Sequence, residues 1–134
     1  MEKTAKNFYV EICKDLSTAD TLYGYAIVCK ELNDEGEFED YFDTQGDHIT
    51  EPYMKTVADN FMFSSRVAKF QHDGDQIGLV IHSLPVTEEL ADRLGWTISK
   101  TGWVIGMKPD DDAIIKAYQN GAITGFSIGG FIHA

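Results

Sequence analysis

Strand-like runs dominate this chain, and their order is irregular. Phe8–Ile12, Thr21–Lys30, Gln76–Ser83, Gly102–Lys108 and Thr124–Ile132 are rich in β-branched and aromatic residues, and Ser64–Gln71 is a mixed segment that can also extend. Only three stretches carry helical periodicity, and they do not alternate regularly with the strands. A doubly wound parallel sheet needs that alternation. The class that remains is α+β: a strongly bent or closed, mostly antiparallel, barrel-like sheet with two or three peripheral helices. With 134 residues, no internal repeat and no linker, residues 1–134 form a single domain.

The helices are marked by their ends. Thr50 is a plausible N-cap for a helix reaching Phe63, with Glu51 and Pro52 in the first turn. Met54, Val57, Ala58 and Phe61 follow the spacing of a buried stripe. Thr87–Leu94 reads as a short helix stopped by Gly95. Asp110 is expected to cap a third, with Ala113, Ile114, Ala117 and Tyr118 on its buried face and Gly121 past its end.

The net charge of −11 excludes a general binder of nucleic acid or of anionic membrane, both of which require Lys and Arg against phosphate. Much of the charge lies in Glu31–Asp47, which reads as an exposed loop or loose hairpin. Its acids do not fit a calcium loop: with Gly36 as the turn glycine the twelfth position falls on Phe42, and with Gly46 the first falls on Tyr41. Cys13 and Cys29 form no CxxC pair and read as free buried thiols in a reducing compartment. No signal peptide or membrane span is visible, so the expected location is cytoplasmic.

Gly125-Phe126-Ser127-Ile128-Gly129 matches G-x-S-x-G literally. In an α/β-hydrolase that motif is a strained turn before a helix, with an acid later in the chain. Here five residues follow Gly129 and none after Ser127 is acidic, so Ser127 reads as a glycine-flanked serine in a buried terminal strand. It can still be a nucleophile if a histidine takes its proton and a third group orients that histidine. The chain offers four histidines. His72 opens a His-Asp-Gly-Asp turn at a strand end; His82 lies inside an apolar strand; His48 and His133 read as solvated or surface residues. Their spacing matches no strong zinc ligand set.

The combination resembles the XkdF-like phage serine proteases. Asp43–Met62, Phe70–Ser83 (FQHDGDQIGLVIHS) and Gly102–Phe131 (GWVIGMKPDDDAIIKAYQNGAITGFSIGGF) carry the resemblance, which runs from about Tyr23 to Phe131. Such proteins are similar to phage prohead proteases and, more distantly, to the herpesvirus assemblins. The resemblance implies a barrel-like sheet, Ser127 as nucleophile and His72 as base. It implies a third member, for which His82 is the candidate and Asp73 and Asp75 the alternatives. It implies self-association, and no metal or cofactor. The assemblins build their oxyanion hole downstream of the serine, so the donors expected here are backbone N–H groups near Gly129 and Gly130, or another subunit's.

The resulting expectation is a serine endopeptidase that cuts scaffold or capsid polypeptides during phage head assembly, within the prohead in the bacterial host cell. Its partner is a polypeptide substrate, with no nucleic acid and no membrane. The competing expectation is a catalytically inactive acidic module of the same fold, of phage or prophage origin, acting by interaction or inhibition.

Overall fold

The computed structural model describes residues 3–69 and 76–133, with side chains described for 8–69 and 76–128. Among the described residues the order is β1 (Lys3–Ile12), β2 (Leu22–Leu32), β3 (Phe38–Asp40), α1 (Glu51–Ser64), β4 (Val67–Lys69), β5 (Gln76–Val86), α2 (Glu88–Leu94), β6 (Lys100–Pro109), α3 (Asp112–Gln119) and β7 (Gly125–His133). All pairings are antiparallel, in the order β1-β7-β4-β5-β6-β2-β3, and a further β1–β2 pairing closes six of the strands into a barrel. The expected α+β barrel is therefore the observed fold. No helix of the described residues is long and apolar enough to cross a membrane.

Closure follows from strand length and bulges. β2 bends at two register shifts, between Tyr25 and Ile27 and between Val28 and Lys30. A bulge adds local twist and turns a sheet back on itself. The bent strand pairs with β6 along one edge. The other edge meets β1 at Tyr25 and Gly24, and β3 at residues 30–32. β3 lies within the acidic stretch, so the loose-hairpin reading of Glu31–Asp47 is the observed one. Its turns are self-capped: Asn33 Oδ1 accepts from the N–H groups of Glu35 and Glu37, and Asp43 Oδ1 from those of Gln45 and Asp47.

Inward-facing residues of the strands fill the barrel. Phe8, Val10, Leu22, Cys29, Ala68, Val80, Trp103, Ile105, Met107, Phe126 and Ile128 are all buried. α1 packs on β5, β6 and β7 and adds its stripe of Met54, Val57, Ala58 and Phe61 to the same core. Thr50 caps it as expected, accepting from Tyr53 N–H, and Thr87 and Gly95 cap α2. For α3 the N-cap is Asp111 rather than Asp110, its carboxylate accepting from Ala113 N–H. The packed face also differs by one member: Ile114, Ile115, Ala117 and Tyr118 lie half-buried against the core, while Ala113 is exposed.

Cys29 is buried and free, and Cys13 is half-buried and free. Burial, with the Glu51 carboxylate adding to it, pushes the Cys29 thiol up to about 12 from 9.0. Next to it, Lys30 Nζ lies 2.7 Å from Glu88 and 3.5 Å from Glu51, and its pKa is raised, chiefly by the bond to Glu88. A raised folded-state pKa gives stability that is full below the unfolded value and lost as pH climbs towards the folded one. Both groups therefore weaken the fold in alkali. Urea midpoints are expected to fall between pH 9 and 12, with a shallower fall in Cys29→Ala; an equal slope in that variant would refute the assignment to Cys29.

Candidate functional site around Ser127

Ser127 lies in the middle of β7, in a regular strand and not in a turn. Its neighbours Phe126 and Ile128 point into the core, so the alternation of a strand sets Ser127 on the outer face. Three strands meet there. Tyr9 of β1 pairs with Ser127 on one side and Lys69 of β4 on the other. Directly beneath this outer row runs an inner one of Phe8, Ile128 and Ala68, also joined by register. The core thus fixes the height and spacing of the surface row.

Ser127 is 9% exposed, although it faces outward. Tyr9 is 60% exposed, and its phenol lies directly over Gly125. A methyl group at position 125 would overlap the Tyr9 ring and the Val10 carbonyl. The first glycine of the G-x-S-x-G match is thus a bed for an aromatic ring beside the serine, which explains its presence without a nucleophile elbow.

His72, the expected base, and the alternatives Asp73 and Asp75 lie outside the described residues. Position 72 is three residues after Lys69, the residue opposite Ser127.

His82 is described, and the structure does not bring it to Ser127. β4 separates its strand from β7. Lys69 pairs with both Ser127 and Gln76, and β5 then runs six residues on to His82. At about 3.3 Å per residue, less the bulges, that is roughly 15–20 Å along the strand, with two spacings of about 4.8 Å across. A triad member must lie within hydrogen-bond reach of the histidine that serves the serine. His82 instead stacks with Tyr23, ring centroids 5.8 Å apart, and its Nδ1 lies 2.6 Å from the Tyr23 hydroxyl. The resemblance makes it the candidate to orient the base; it is an exposed residue held by Tyr23. His48 is also held, half-buried, with Nδ1 2.9 Å from the Tyr41 carbonyl oxygen.

Tyr9 was missed by reading the sequence. No local pattern marks it, because its partners Gly125 and Ser127 come from the other end of the chain. Only the β1–β7 register brings them together.

Fold and site together define a closed antiparallel barrel that presents a strand-borne serine on its outer wall. Residues 37–134 match the family described as "Putative phage serine protease XkdF", and the chain belongs to that family. The match takes in β3 to β7 and α1 to α3, while β1 and β2 precede it. No curated protein and no solved structure gives a significant match.

Proposed function

We propose that this chain is a serine endopeptidase acting on polypeptides of the assembling phage head, with Ser127 as nucleophile and His72 as general base. The observation that carries the reading is the position of Ser127. It sits at the middle of a strand, on the outer wall, opposite Lys69, from which the chain leads in three residues to His72. With His82 held at Tyr23, Asp73 and Asp75 are the candidates to orient the imidazole.

In this mechanism His72 takes the proton from Ser127 Oγ as the oxygen adds to the scissile carbonyl. The tetrahedral intermediate then collapses, His72 protonates the departing amine, and an acyl-serine remains. Water, deprotonated by His72, hydrolyses the ester, and the proton returns to Ser127. The oxyanion needs preorganised donors. β4 pairs with β7 only at Ser127 and Ile128 among the described pairings, so no described strand covers that edge of β7 at Gly129 and Gly130. Backbone N–H groups there are the proposed donors.

The test is covalent labelling. A fluorophosphonate probe is expected to modify the protein at Ser127, read by peptide mass spectrometry, and His72→Ala is expected to slow that labelling by about 10²-fold or more. A wild-type protein that stays unlabelled while a basic partner binds it with salt-sensitive affinity would favour the inactive acidic module instead.

A further inference from the structure

Tyr9 has no evident structural task on the outer wall, yet it is placed with care. An exposed aromatic ring leaves apolar area in water, which costs free energy unless something covers it. Its partner across the ladder is the proposed nucleophile, and the ring is laid along β7 over Gly125, where only a glycine leaves room for it. The face that remains open is large, since the residue is 60% exposed. No hydrogen bond joins its hydroxyl to a described side chain. The result is a flat apolar plate whose strand neighbour is Ser127, at the short cross-strand spacing of about 5 Å between Cβ atoms.

We infer that Tyr9 is a specificity-determining residue, receiving a bulky apolar side chain of the polypeptide next to the bond that Ser127 cleaves. The inference rests on the serine-protease reading and adds the class of cleavage site. A peptide lying over the Ser127 hydroxyl must set its flanking residues on the neighbouring outer-face positions. On the β4 side it meets Lys69, whose ammonium favours polar company. On the β1 side it meets the Tyr9 ring, which gains from covering by an aliphatic or aromatic group through apolar burial and ring contact. The selectivity is therefore built by β1, which precedes the part of the chain matching the family, while the nucleophile belongs to β7 within it.

The experiment profiles cleavage of a mixed peptide library by mass spectrometry, followed by kinetics on the best peptides. Wild type is expected to cut preferentially where Leu, Met, Phe or Tyr flanks the scissile bond. In Tyr9→Ala the preference is expected to fade, with kcat/KM for those peptides down about tenfold. The loss should lie mainly in KM. Tyr9→Phe, which keeps the ring, should retain the wild-type profile. An unchanged profile in Tyr9→Ala, or a wild-type preference for small or charged residues, overturns the inference and leaves the protease reading intact. A wild type that neither cleaves the library nor takes a fluorophosphonate overturns both.

Discussion

Ser127→Ala is expected to lower kcat/KM for polypeptide cleavage by about 10⁴-fold or more while leaving the fold in place. The two halves of that result have separate causes. The hydroxyl is the bond-forming group in the proposed mechanism, and no neighbouring side chain can replace it; Lys69 and Tyr9 flank it but belong to other strands. Stability should hardly move. The serine is on the outer face, its hydroxyl bonds to no described side chain, and alanine suits the same extended backbone. A change within about 0.5 kcal/mol is the normal result for such a site. The double variant with His72→Ala should be no slower than Ser127→Ala alone, since the two residues act as a unit. Kinetics on the library peptides and urea titrations of the same preparations check both halves. Cleavage at the wild-type rate by pure Ser127→Ala would end the serine-protease reading.

The features that local chemistry controls were legible before the fold was known. Thr50 and Thr87 cap helices because a hydroxyl two or three residues before free N–H groups is a local solution, and Gly95 stops α2 because the left-handed turn there favours glycine. The stripe of Met54, Val57, Ala58 and Phe61 needs only helical periodicity. What escaped depends on which strands adjoin. Three-residue β3 exists because it pairs with bent β2, and no property of Phe38–Asp40 announces that. His82 was the candidate third member through the resemblance, not through a local pattern that sets it beside the serine. The two are kept apart because β4 intervenes and β5 runs away from the serine beyond Gln76. The choice between Asp110 and Asp111 as a cap was a choice among three successive aspartates, which composition alone cannot resolve.

The surface row that carries the site rests on the inner one, so the largest expected loss of stability comes from beneath it. Trp103 of β6 is fully buried. Its ring stands edge-on to Phe8 of β1 at 6.2 Å and to Phe61 of α1 at 5.4 Å, and its Nε1–H donates to Ser83 Oγ of β5 at 2.8 Å. One side chain thus ties together four elements that are distant in sequence. Trp103→Ala removes these contacts and leaves a void that a closed barrel cannot easily collapse. Its expected cost is about 3–5 kcal/mol. For a domain whose total stability is of order 5–15 kcal/mol, that should lower Tm by roughly 10–20 °C. Trp103→Phe keeps most of the ring but leaves the Ser83 hydroxyl without its donor, so a smaller cost of about 1–2 kcal/mol is expected. Phe8 stands directly under the Tyr9–Ser127 pair. Its loosening in Trp103→Ala should therefore depress peptide cleavage at temperatures where far-ultraviolet circular dichroism still reports a folded barrel. A Tm within 3 °C of wild type would show that the barrel is held together elsewhere, and the inner row could not then be what fixes the spacing around Ser127.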